Sequence, residues 1–227
     1  MVRKLNIVNI GGSNGIGKST RMNVLVNYME ENYGKTDFEY DITKGKDPKI
    51  IHKIVGFTSN GYLFIGGKTQ KGGWVGWDKA DFSSWGKRIA LYKDIYDNYS
   101  DIHTIVVEGY FNNRSAQGSP KAIRAGVSEN AVSKNYVFLY DDIQEYIDRT
   151  NGRTGKDRGI EWAEKSSGWN DNAVFERFSK VYLEENIGED TCTVLNKDEP
   201  KDYFVKEFFG ESVEVQEYKQ PPVAEDW

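Results

Sequence analysis

Gly12-Ser13-Asn14-Gly15-Ile16-Gly17-Lys18-Ser19-Thr20 spells G-x-x-x-x-G-K-S-T, the pattern of a phosphate-binding loop. Its flanks supply the context that the pattern needs. Leu5-Asn6-Ile7-Val8-Asn9-Ile10 reads as a short strand rich in branched residues. Thr20 to Tyr33 carries Met22, Leu25, Val26 and Met29 near helical spacing. Glycines at 12, 15 and 17 let backbone N–H groups turn inward around phosphate oxygens. The helix adds the positive end of its dipole. Lys18 is expected to reach the β- and γ-phosphates of ATP, and Ser19 to hold Mg²⁺. Asn14 and Thr20 complete the expected nucleotide-binding set. A glycine-rich turn without a ligand is the competing reading. Strand, motif and helix in the right order weigh against it.

The chain has 227 residues, 30 basic and 35 acidic, for a formal net charge of -5. The length suits one domain with a full core. The charge gives no bulk basic footprint for nucleic acid, although local patches remain open. A single cysteine, Cys192, excludes an intrachain disulfide and a cysteine metal cluster, and its apolar surroundings predict a buried, inert thiol. Two histidines, His52 and His103, are too few for a histidine cluster. With no long apolar run and no signal peptide, a cytoplasmic protein with no membrane partner is expected.

Along the chain, Phe38 to Ile42 alternates as a second strand. Ile50 to Phe57 and Tyr62 to Ile65, joined through Asn60-Gly61, predict a β-hairpin, as an insertion or as an extension of the sheet. Gly66 to Asp81 is rich in glycine and holds Trp74 and Trp77 as flat surfaces, Lys68, Lys71 and Lys79 as cations, and Asp78 and Asp81 as carboxylates. An acceptor site for phosphoryl transfer needs that mixture: a platform, charge for phosphate, and a carboxylate to orient or deprotonate a hydroxyl. Helix is expected over Phe82–Tyr99. His103 to Tyr110 reads as a central strand ending in Glu108, where a carboxylate can act on Mg²⁺ or on the acceptor. Arg114 and Arg124 are candidate ligands for substrate phosphate. Lys121 to Lys134 is expected as a short helix and Asn135 to Tyr140 as the next strand.

A helix from Asp141-Asp142 leads into Arg149 to Gly159, which holds Arg149, Arg153, Lys156 and Arg158 among three glycines. A mobile basic segment of this kind closes over ATP and offsets charge on the transferred group. Arg177, on a helix expected from Asp171 to Leu183, is a further phosphate candidate. Asp190 to Leu195 reads as the last strand, with Asn196-Lys197-Asp198 after it as a place for a purine ring. A short helix over Pro200–Gly210, an edge strand near Ser212–Gln216 and a flexible tail end the chain.

This arrangement resembles the nucleotide-kinase branch of P-loop proteins. The resemblance rests on Gly12 to Thr20, the strand ending Val107-Glu108-Gly109, and Arg149 with Arg153. More specifically it is similar to bacteriophage kinases that phosphorylate 5-hydroxymethyluracil in DNA, through Gly72-Gly73-Trp74-Val75-Gly76-Trp77-Asp78 followed by Glu108-Gly109 and the basic stretch. The resemblance implies an α/β P-loop kinase-like fold of three layers, with a parallel central sheet, an inserted hairpin and a basic lid. It also implies a kinase domain over 1–210, with a substrate-side insertion at 50–81 and a lid at 149–159, followed by an edge strand and tail at 211–227. The implied activity is base-hydroxymethyl phosphorylation in DNA, in a phage-infected bacterial host. The residues alone reach only ATP, Mg²⁺ and a planar acceptor, and leave Asp78, Asp81 and Glu108 as rival bases. They leave open a kinase of free deoxynucleoside monophosphates, which suits the acidic charge. A non-catalytic nucleotide-binding module is also open, although no guanine-reading N-K-x-D sequence is present. A homodimer stays an open option.

Overall fold

The strand ahead of the phosphate loop, β1 (Leu5–Gly12), lies inside the sheet with a parallel neighbour on each side. In the computed structural model the described residues are 3–13, 15–43, 51–68, 74–75, 85–108 and 119–214. After β1 come α1 (Lys18–Tyr33), β2 (Thr36–Thr43), β3 (Ile51–Ser59) and β4 (Tyr62–Ile65). A small antiparallel pair, β5 (Gly67–Lys68) and β6 (Trp74–Val75), precedes α2 (Trp85–Asn98) and β7 (Thr104–Glu108). The chain continues through α3 (Pro120–Gly126), β8 (Ala131–Phe138), α4 (Ile143–Thr154), α5 (Ile160–Lys165) and α6 (Ser167–Glu185). It closes with β9 (Thr191–Leu195) and α7 (Tyr203–Phe209).

The main sheet has seven strands in the order β2-β3-β4-β7-β1-β8-β9. It is mixed: the expected parallel strands form its central part, and the hairpin adds antiparallel pairing on one side. β4, β7, β1, β8 and β9 run parallel, while β3 pairs antiparallel with both β2 and β4. The hairpin therefore extends the main sheet, because β4 is itself a parallel partner of β7. Its turn follows from the sequence: Asn60 and Gly61 both take positive φ, 47° and 76°, as a two-residue turn between twisted strands requires. Gly61 is needed twice over, since a Cβ there would lie 2.4 Å from the His103 ring. His103 serves this corner, with Nε2 3.2 Å from Asn60 O and Nδ1 2.9 Å from Thr104 Oγ1.

Strand alternation sorts the core onto two faces. Val8, Ile10, Phe64, Val106 and Phe138 pack with Met22, Leu25, Val26 and Met29 of α1 and with Phe204 and Val205 of α7. Leu5, Ile7, Leu63, Ile105 and Val107 pack with Leu91, Tyr92 and Ile95 of α2 and Ile123 of α3. Val137 meets Phe175, Phe178 and Tyr182 of α6. Each of these side chains is buried at full or nearly full depth. At ~25 cal/mol per Å² of apolar area, such burial dominates the folding energy.

Several boundaries differ from the sequence reading. The helix expected over 121–134 stops at Gly126, and β8 already begins at Ala131. Ser133 and Lys134, both polar, hid the first half of the strand. Ser133 and Asn135 are buried inside the sheet, where Asn9 Nδ2 donates to Asn135 Oδ1 at 3.0 Å and Asn135 Nδ2 donates to Ser133 Oγ at 3.0 Å. The helix α5 was not expected, and α6 starts earlier than Asp171, capped by Ser166 Oγ accepting from Trp169 N. α4 runs to Thr154, so Arg149 and Arg153 stand on a helix and only 155–159 connects it to α5. Residues 211–214 carry no strand, and Val213 N instead donates to Asp202 Oδ2. The rest of the expected edge strand and tail lies outside the described residues. No helix among the described residues is long and apolar enough to cross a membrane.

Candidate active site

The five parallel strands all end on one edge of the sheet, and the phosphate loop leaves β1 at the middle of that edge. β4 and β7 end on one flank of it, and β8 and β9 on the other. This crevice beyond the carboxyl ends is where open α/β sheets bind ligands. β1 and β8 approach closely at the start of the loop. Gly12 has φ 131°, and a Cβ there would fall 2.2 Å from Phe138 O, so only glycine fits. The cap of α1 is Gly17, whose backbone is left-handed and which brings no side chain to cap the first turn. Helix N–H groups without a side-chain cap, facing a loop of this pattern, suit an anion.

Lys18 is buried, with Nζ donating to Gly12 O and Ser13 O at 2.9 Å each. Its ammonium is thus held against the loop's own backbone. Ser19 Oγ lies 3.3 Å from each carboxylate oxygen of Glu108, which is 5% exposed at the end of β7. A hydroxyl and a carboxylate are hard oxygen donors of the kind Mg²⁺ takes, so this pair fits that ion. Elsewhere among the described residues, no group of three or more His, Cys, Asp and Glu side chains gathers for a metal. Thr20 is exposed on the first turn of α1.

From the other flank, α4 brings two arginines onto the loop. Arg149 Nε donates to Gly15 O. Arg153 Nη1 lies 3.3 Å from where a Cβ on Gly15 would sit, beside the Tyr140 hydroxyl at 3.4 Å. Burial pushes the Tyr140 phenol up to about 12, against the pull of Arg149 and Arg153. Arg21 completes the cationic surround. It is 4% exposed, stacks over the Phe138 ring at 5.0 Å, and donates to Ile16 O and Gly17 O at 3.3 Å. Its other nitrogen donates to Lys197 O at 2.8 Å and to Glu199 O. Burial lowers the Arg21 pKa from its usual value, and the neighbouring charge of Arg149 lowers it further. Lys197, on the segment that Arg21 grips, pairs with Glu145 of α4. Beside these elements, Tyr140, Trp169, Asn172, Val194 and Asn196 line a cavity of about 550 Å³.

The other candidates divide. Arg124 is not brought to the loop: its guanidinium pairs with Asp190 and donates to Glu185 O at 2.8 Å, beyond the opposite end of β9. Arg158 covers the Trp162 ring at 4.2 Å and is tied to Asn151 through its backbone. Lys156 and Arg177 are exposed. Lys68 and Trp74 are opposite partners in the β5–β6 pair, and β6 lies against α1. Asn14, Trp77, Asp78, Lys79, Asp81 and Arg114 lie outside the described residues. Sequence reasoning passed over Arg21, Ser13, Tyr140 and Asn172. Arg21 had a signal, as a cation one turn after Lys18 on a helix whose neighbours are core. Asn172 had none, standing 159 positions from the Ser13 it contacts.

A family model described as 5-hmdU DNA kinase 2 matches residues 4–220. No curated protein matches the sequence.

Proposed function

The chain belongs to the 5-hmdU DNA kinase 2 family, and from that premise we propose that it transfers the γ-phosphoryl group of ATP to the hydroxymethyl oxygen of 5-hydroxymethyluracil in DNA. This is a step toward hypermodified thymine in the cytoplasm of a phage-infected cell. The observation that carries the reading is the convergence of Lys18, Arg149 and Arg153 on one loop whose Ser19 is bonded to Glu108. In the transfer, the acceptor oxygen forms a bond to the γ-phosphorus while the bond from that phosphorus to the β–γ bridging oxygen breaks, and ADP leaves. The hydroxyl proton passes to a carboxylate, with Asp78 the first candidate and Asp81 and Glu108 its rivals. Lys18 offsets charge on the β- and γ-phosphates, and Arg149 and Arg153 offset charge on the group in flight. Ser19 and Glu108 would hold Mg²⁺, which when bound neutralises phosphate charge and orients the chain.

The strand order supports a division of labour. The base side of ATP extends toward Asn196 to Glu199, on the flank of β8 and β9. The acceptor enters on the flank of β4 and β7; from the residue types alone, Trp74 and Trp77 are assigned to stack on its base and Lys68, Lys79 and Arg114 to meet phosphates. Arg124 is left out, because its guanidinium is engaged elsewhere. A kinase of free deoxynucleoside monophosphates is the second reading, favoured by the net charge of -5. An acceptor screen separates the two. The protein is incubated with γ-labelled ATP and, separately, hydroxymethyluracil DNA, unmodified DNA and deoxynucleoside monophosphates. Label on the modified DNA alone is expected. Label on monophosphates and not on DNA refutes the DNA reading, and label on neither refutes kinase action on these acceptors.

A further inference from the structure

Ser13, the first variable position of the loop, uses all three of its polar groups. Its N–H donates to Phe138 O at 3.1 Å, its carbonyl receives Lys18 Nζ at 2.9 Å, and its hydroxyl donates to Asn172 Oδ1 at 2.6 Å. Ser13 is fully buried and Asn172 nearly so. The same Asn172 oxygen accepts from Tyr140 N at 2.8 Å, and its Nδ2 donates to Tyr140 O at 3.1 Å. These three bonds fix the amide's orientation, since a flipped amide would set an NH₂ group against the Tyr140 N–H. One side chain of α6 therefore holds both the entry to the phosphate loop and the exit of β8. Tyr140 in turn stands its hydroxyl beside Gly15, where Arg153 arrives. The far side of Asn172 and Tyr140 lines the cavity against β9.

We propose that Asn172 is a positioning residue for phosphate binding: through the Ser13 hydroxyl it sets the backbone on which the Lys18 ammonium rests. It touches no reacting atom, and it rests on the reading of Lys18 as a phosphate ligand. Without the Ser13–Asn172 bond, Ser13 keeps its N–H bond to Phe138 O but loses its side-chain anchor, and any shift of its carbonyl moves the ammonium that rests on it. A group that merely stabilises the fold would lower the melting temperature and leave the affinity of the folded protein unchanged. A positioning group changes that affinity.

The test measures binding of Mg·ATP and of inorganic triphosphate by calorimetry, with melting temperatures alongside. Triphosphate has no base or ribose, so it isolates the loop. Ser13→Ala deletes one buried oxygen and leaves the Asn172–Tyr140 bonds in place. It is expected to weaken both ligands about five- to tenfold, the equivalent of one net hydrogen bond. Asn172→Ala is expected to weaken them at least as much, and the double variant no more than Asn172→Ala alone, because both act through one contact. If Asn172→Ala does not fold, Ser13→Ala decides alone. Wild-type affinity in Ser13→Ala, while Lys18→Met loses binding, overturns the positioning role and spares the phosphate site. Losses that multiply in the double variant overturn it too. A wild type that binds neither ligand overturns the reading of Lys18, and this inference with it.

Discussion

Replacing Lys18 with Met tests the site at its centre, because it keeps the unbranched stem and removes only the charge. Lys18 is 8% exposed, and its ammonium makes hydrogen bonds of 2.9 Å to the carbonyls of Gly12 and Ser13. A charge-assisted hydrogen bond is worth ~1.5–3 kcal/mol, so losing one phosphate contact weakens ATP binding by ~10- to 150-fold. The loss is larger in the transition state, where charge spreads over the transferred group. Removing one such stabilising donor typically costs ~10²- to 10³-fold in turnover. Stability moves less. Each carbonyl stranded without its donor costs ~1–3 kcal/mol, and relief of the buried ammonium's desolvation offsets part of that. With ~2–4 °C per kcal/mol for a chain of this size, the variant stays folded and melts several degrees lower. The assay is transfer of label from γ-labelled ATP to hydroxymethyluracil DNA, with calorimetry for ATP and circular dichroism for the fold. Turnover within about threefold of wild type at saturating ATP would refute the reasoning, because threefold is only ~0.65 kcal/mol of barrier.

Gly12→Ala places a Cβ 2.2 Å from Phe138 O at φ 131°, so β1 and β8 must part. A loss of more than ~3 kcal/mol in urea denaturation is expected, since left-handed strain alone costs ~1–3 kcal/mol. Hydrogen exchange across 149–159 is expected to slow when ATP and acceptor bind, as Arg149 and Arg153 gain phosphate partners; unchanged protection would show that α4 and its connection take no part. Burial raises the Cys192 thiol to about 11, so it stays protonated in the fold while an unfolded thiol ionises near ~8.5. The stabilisation is complete below that lower value and is lost as pH rises through the folded one. Iodoacetamide labelling of native protein at pH 8.5 should therefore lag far behind labelling in urea, and equal rates would contradict the burial.

What the sequence made legible was local. The phosphate loop, the helix after it and the Asn60-Gly61 hairpin each depend on residues within a few positions, and each appears where those residues put it. The start of β8 was not legible, because Ser133 and Lys134 look like surface residues until β1 is placed beside them by strand pairing. Arg149 and Arg153 stand out in the sequence as cations, and the structure brings both to Gly15. That they ride a helix was missed, because Asn151 and Gly152 weigh against helix in any local reading. Arg124 was misjudged for the converse reason. A basic residue near Arg114 in sequence looks like a phosphate ligand, but α3 carries it to Asp190, which precedes β9. The Ser13–Asn172–Tyr140 contact could not have been seen, since it depends on three elements meeting at once.

The net charge of -5 is the feature that speaks most directly against a DNA acceptor, and the site geometry weakens that objection. Screening at physiological salt has a length of ~8 Å, so a bound phosphate responds to charges near it and hardly to the chain's total. Lys18 belongs to the loop, Arg149 and Arg153 meet it at Gly15, and Arg21 is buried beside them. Burial, and after it the charge of Arg149, lowers the Arg21 pKa, while Glu199 and Asp198 act in the other direction. The total charge therefore bears on how the molecule meets a polyanion at long range, and the loop's own cations determine what it holds on arrival. The same separation applies to the acceptor, for which the lysines at 68, 71 and 79 fall within one short stretch of sequence. The choice between a polymer and a free nucleotide thus turns on what those few cations face, and not on the balance of the whole chain.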